Sequence, residues 1–210
     1  MNNLASCYLA AGKLDLAVPL LEDTLTLMKV NMGAGHPSTT GCMRNLVKAY
    51  SEAGRAETAA AMYKEFIAIE RNRLPANSSE LAGSLALVVL ELFKCGQYTL
   101  AEETLRECLT IREKLQPDAW TTFNTQSLLG GALLGQKKYA EAEPLLLKGY
   151  EGMKQREKLI PPQGNTRIPD ALDRLIELST ATNKPDDAKK WQAERAKYPV
   201  PKQPTPVEKK

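Results

Sequence analysis

Residues 2–17, "NNLASCYLAAGKLDLA", return at residues 44–59 as "RNLVKAYSEAGRAETA", with small and apolar side chains at the same places. Two further copies continue the pattern. Leu4, Leu46, Val88 and Leu129 open it, followed at once by Ala5, Val47, Val89 and Gly130. Tyr8, Tyr50, Leu92 and Leu133 come four places after the first, then Gly12, Gly54 and Gly96. Ala17, Ala59, Ala101 and Ala142 follow, spaced by 42, 42 and 41 residues, each with a large residue four places on: Leu21, Tyr63, Leu105 and Leu146. A period this constant specifies a stacked array of small units, because each unit is too thin to bury an apolar face alone.

Each unit reads as two helices. Apolar positions at i, i+1 and i+4 form one helical stripe in the first half. The glycine ends that helix in a left-handed conformation that other residues adopt at a cost. The alanine marks a close approach of the two helices. The second half keeps the 3.6-residue period, as in Leu100, Ala101, Leu105, Cys108, Leu109, Ile111 and Leu115. Pro19 and Pro144 are expected near the first turn of their helices, where a missing N–H is tolerated. "GAGHP", "LPANSS" and "LQPDAW" supply breakers between units.

These residues resemble the tetratricopeptide repeat, with its L-G-x-x-Y…G…A…F…A signature. The longer unit, the "NNLA" opening and the "HP" in the loop are similar to the kinesin-light-chain type. The likeness runs over about residues 2–155. It implies an all-α, right-handed α-α superhelix of about four helix pairs plus a C-terminal capping pair. The pairs are expected at about 1–36, 37–78, 79–118 and 119–160, with a linker at 161–169 and the capping pair at 170–198. The tail "PVPKQPTPVEKK", at 199–210, is too polar and proline-rich to bury anything and is expected to be disordered. The chain also resembles the repeat tracts of bacterial regulatory proteins, among them large serine/threonine kinases.

Three departures carry expectations of their own. Lys137 stands where the fourth copy should have glycine, with Gly135 two places early, so an altered turn is expected there. The third first helix, "LAGSLALVVLELFKC", is apolar nearly all round, with Glu91 its lone charge, and should be buried on several sides. Asn2 corresponds to the middle of a first helix, so the chain is expected to be part of a longer protein. Self-association through an uncapped first repeat is then expected, because exposed apolar patches favour it.

Composition narrows the function. The 28 basic and 25 acidic residues are interleaved, and aromatics are only 6%. Neither suits a nucleic-acid surface, which concentrates basic charge and stacking rings. No apolar run reaches the roughly 20 residues of a membrane span, and the first residues carry neither a basic segment nor a signal-type apolar stretch, so a cytoplasmic site is expected. Cys7, Cys42, Cys95 and Cys108 lack metal-ligand spacing and read as small buried hydrophobes.

Chemistry finds no foothold. His36 is the lone histidine and brings no triad or metal set. Phosphate-loop, zinc-protease and nucleophile-elbow motifs are absent. The glycines of "SLLGGALLGQKK" read as helix contacts and a turn. No enzyme activity and no cofactor are expected. What remains is surface.

In the resembled superhelix the first helices line a concave groove. That implies Asn2, Asn3 and Ser6, then Arg44, Asn45 and Lys48, then Leu87, Leu90 and Phe93 as groove residues. Asn124, Ser127 and Gly131 follow, with Arg174 and Glu177 from the terminal pair. In the family, asparagine at the position of Asn3 and Asn45 bonds a peptide backbone; an amide both donates and accepts. Arg44 and Lys48, one turn apart, suit a carboxylate. The reading is a protein- or peptide-binding scaffold of unnamed ligand. The alternative is a regulatory or oligomerisation segment of a larger bacterial signalling protein such as a serine/threonine kinase.

Overall fold

A computed structural model describes residues 1–198. The expected tail at 199–210 lies outside the described residues. The described chain is all-α. Its helices pair as α1 (Asn2–Ala10) with α2 (Leu14–Met32), and α3 (Pro37–Glu52) with α4 (Ala56–Arg73). The third pair is α5 (Ser79–Leu87) and α6 (Val89–Lys94) with α7 (Tyr98–Leu115). Then come α8 (Trp120–Gly135) with α9 (Tyr139–Gln155), and α10 (Arg167–Ala181) with α11 (Pro185–Arg195). Each first helix also packs on the second helix before it, α3 on α2, α5 on α4 and α8 on α7. The result is a right-handed α-α superhelix with one continuous core.

The repeat positions explain that core. Ala17, Ala59, Ala101 and Ala142 have no exposed surface, nor do Leu21, Tyr63, Leu105 and Leu146. His36 serves the fold: its Nδ1 accepts from the Ser38 N–H at 3.1 Å and caps α3, with Pro37 opening the helix. Second helices are laced across the outer face at matching positions, Lys29 to Glu65 and Arg71 to Glu107. Such exposed pairs contribute about 0–1 kcal/mol each.

Four expectations need correction. The fourth turn is not altered: Lys137 takes φ +62°, alongside +68°, +71° and +68° at Gly12, Gly54 and Gly96. Its N–H bonds Leu134 O, and Lys138 N–H bonds Leu133 O, the same two bonds that Gly54 and Arg55 make. The turn is imposed by the packed helices, and lysine accepts the strain. Pro19 and Pro144 lie inside α2 and α9, the sixth residue of each, beyond the first turn. Cys7 is exposed and Cys95 half-buried, so only Cys42 and Cys108 are core side chains; all four are free thiols. Helix α10 opens within the stretch expected as linker, after two 3-10 turns at Glu157–Leu159 and Pro162–Gly164.

The apolar third helix is broken at Val88, where φ is −113° and ψ 8°. Two β-branched residues meet there, Val88 and Val89. In the turn before, the buried Tyr63 hydroxyl donates to the Leu85 carbonyl at 3.2 Å. Leu87, beside the break, is left 57% exposed.

Candidate functional site

That break faces a hollow of about 300 Å³. Its walls come from three successive first helices: Leu87 and Leu90 from α5 and α6, Trp120 and Asn124 from α8, and Arg167 from α10. Arg112, near the end of α7, closes it from the side. Three of the expected groove residues therefore share one space, Leu87, Leu90 and Asn124. The others are placed differently.

Asn45, Ser6 and Asn2 form a cluster of their own between α1 and α3. The Asn45 Nδ2 donates to Ser6 Oγ at 3.1 Å and to Asn2 Oδ1 at 3.3 Å. Ser6 in turn donates to the Asn2 carbonyl at 2.9 Å. The donor half of the Asn45 amide is thus occupied, while Asn3 is exposed. Lys48 is exposed with Nζ 3.8 Å from Glu52, and Arg44, half-buried, has no carboxylate partner among the described residues. Ser127 does not line open space, and Arg174 is half-buried beside it. Ser127 is fully buried, and its Oγ accepts from Arg174 at 3.1 Å, tying α10 to α8. Burial lowers the Arg174 pKa to about 10. A close approach explains the arrangement: a Cβ on Gly131 would stand 2.8 Å from the Arg174 chain.

Arg112, Trp120 and Arg167 were not among the expected groove residues. Arg112 sits on a second helix at the register of Met28, Glu70 and Met153, a core position. A charge on an apolar stripe was the available signal. Its NH1 donates to the Thr121 carbonyl and to Thr125 Oγ1, each at 2.6 Å. Burial depresses its pKa from the usual arginine value, and no carboxylate pairs with it among the described residues. In the preceding copy the same register holds Glu70, only 1% exposed. Arg73 bonds it at 3.1 and 2.8 Å, and Ser84 Oγ at 2.6 Å. Desolvation would raise the Glu70 pKa, but these donors bring it below the usual carboxylate value.

Tetratricopeptide-repeat models match residues 1–72 and residues 82–115, together half of the chain. The chain belongs to the tetratricopeptide-repeat family. Among solved structures it is similar to the putative kinesin light chain TPR-like repeats of Podosopora anserina. One structure of these has a TM-score of 0.71 at 20% identity, covering 94% of this chain and 92% of that one. BtubC (BKLC) from P. vanneervenii superposes with a TM-score of 0.68 at 16% identity, covering 97% and 83%. A Rap protein complexed with competence and sporulation factor gives a TM-score of 0.56 at 12% identity, covering 92% and 61%. No curated protein sequence matches the chain. Tetratricopeptide repeats are in general non-catalytic scaffolds, and the coarse function of this chain is protein–protein interaction. Among the described residues no helix is long and apolar enough to cross a membrane.

Proposed function

We propose that this tetratricopeptide array is a cytoplasmic scaffold that holds a segment of a partner protein along the face made by its first helices. The observation that carries this is the hollow itself, where Leu87, Leu90, Trp120 and Asn124 converge from successive repeats. A few polar groups among apolar ones is the usual make-up of a binding site. The Rap protein, of like fold, is complexed with competence and sporulation factor, which supports a factor-holding role for the scaffold. The second reading is a regulatory or oligomerisation segment of a larger bacterial signalling protein such as a serine/threonine kinase. It is favoured by one observation, the exposed apolar face of the first pair at Leu27, Val30 and Met32.

The test is affinity capture with the intact array, followed by titration of the captured protein. Leu90→Asp should weaken that binding strongly, and Lys64→Glu, on the exposed face of α4, should not. Loss of binding with Lys64→Glu alone would place the partner on the outer face and overturn the reading.

A further inference from the structure

Arg112 is a cation with unused donors at an apolar wall. A guanidinium carries five N–H groups. NH1 is committed to the Thr121 and Thr125 oxygens, both uncharged, which leaves Nε and NH2 without an acceptor among the described residues. The side chain is held rigidly by those two bonds and borders the hollow. Arg167 enters the same hollow from α10; its own carboxylate contact, Asp170, is long at 3.6 Å. No acidic side chain lines this hollow among the described residues. Leu87 and Leu90 flank the cations with apolar surface, and Asn124 adds an amide that can both donate and accept.

We infer that this hollow receives a carboxylate of the bound polypeptide, forked onto Arg112 and faced by Arg167, with an adjacent aliphatic side chain seated on Leu87 and Leu90. The inference rests on the peptide-binding reading above. A carboxylate matches the planar donor pair of a guanidinium, and a desolvated, preorganised arginine distinguishes it from a carboxamide of the same shape. The carboxylate is either an Asp or Glu side chain or a chain terminus. Arg112 and Arg167 lie on other helices than Arg44 and Lys48.

Three pools of acetylated heptapeptides separate the cases. Two are amidated at the C-terminus and centred on Leu-Glu-Leu or Leu-Gln-Leu; the third is Leu-Gln-Leu-centred and ends in leucine with a free carboxylate. Trp120, in the wall of the hollow, reports binding by its emission, and Trp120→Phe should abolish the change. The amidated Glu pool should bind on the order of tenfold more tightly than the amidated Gln pool if a side chain is read. The free-acid pool should show that advantage instead if a terminus is read. Arg112→Gln should reduce the advantage to about twofold or less, and Arg167→Gln should reduce it in part. Equal binding of all three pools overturns this inference while leaving the peptide-binding reading standing; no binding of any pool overturns both. Should Arg112→Gln fail to melt cooperatively, Arg112→Lys and Arg167→Gln decide. A carboxylate preference undiminished in both overturns the assignment.

Discussion

Lys137 shows what one residue tolerates when its neighbours are fixed. A left-handed backbone costs an L-residue about 1–2 kcal/mol, and Lys137 bears it because the α8–α9 turn repeats the geometry of the glycine turns. Lys137→Gly should therefore stabilise the chain by about 0.5–1 kcal/mol, read as a raised denaturant midpoint with unchanged slope. Gly149 presents the opposite case. A Cβ there would stand 2.6 Å from the Ser127 backbone N and 2.8 Å from the Phe123 carbonyl O. Backbone cannot rotate aside as a side chain can, so Gly149→Ala should cost about 1–3 kcal/mol or more through overpacking. A Cβ on Gly83 meets nothing within 4 Å, and Gly83→Ala in α5 serves as the control that should not destabilise. If Gly149→Ala melts like wild type, α8 and α9 are not in backbone contact there.

At the scale of elements, the polar rungs between helices behave differently from the apolar ones. Glu70 is buried between α4 and α5 and depends on Arg73 and Ser84. Arg73→Ala should cost about 1–3 kcal/mol, because it leaves a buried carboxylate with Ser84 as its main remaining donor. Glu70→Met should cost less, since Met28 and Met153 fill the same register in other copies, and paired melting curves order the two. Glu102, with a side chain 12% exposed, joins α7 to the α8–α9 turn. Burial alone would raise its pKa, yet hydrogen bonds from Lys138, Gln136 and Arg106 bring it down to about 2. A depressed folded-state pKa makes its contribution full above the unfolded value, roughly 4.3. That contribution, on the order of 2 kcal/mol, is lost as pH falls from about 4 towards 2. Glu102→Gln should thus be less stable than wild type at neutral pH, with the gap closing in acid. A gap that persists at pH 2 would mean the charge is not what matters.

For the whole molecule, the ends of the array differ. At the C-terminal end Trp191 is buried against Tyr150 in an edge-on contact, with ring centroids 5.5 Å apart. Lys190 covers the Trp191 ring, and Arg195 pairs with Asp173 at 2.8 Å. The first pair has no such cover among the described residues. Of the nine large hydrophobic side chains left exposed among those residues, six lie on or beside α1 and α2: Met1, Leu4, Leu16, Leu27, Val30 and Met32. Leu9 of α1 is buried, so the adhesive surface is chiefly the outer side of α2. Light scattering should show association that grows with concentration, and Leu27→Lys with Val30→Lys should return the chain to a monomer. A strict monomer at high concentration in the unsubstituted chain would show that this face is not adhesive.

The periodic residues determined the architecture unaided. Leu4, Gly12, Ala17 and Leu21, with their copies, encode a helix, a turn, a close contact and a packed partner, and all four are local or nearest-neighbour facts. The apolar pair Leu87 and Leu90 was legible for the same reason, as a departure from the polar residues at that register. Arg112 was not, because a second-helix residue reaches the hollow only once α7 lies against α8 and Thr121 and Thr125 orient its guanidinium. Ser127 lies buried, not in a groove, for the converse reason. Register assigns a residue to a helix face, but whether that face meets solvent or α10 depends on how closely Gly131 lets the helices approach. The break at Val88 is likewise a tertiary outcome, since the Tyr63 hydroxyl that bonds Leu85 arrives from a different helix pair. Repetition is written in the chain; where that repetition opens into the hollow at Leu87 and Arg112 is decided by contacts between repeats.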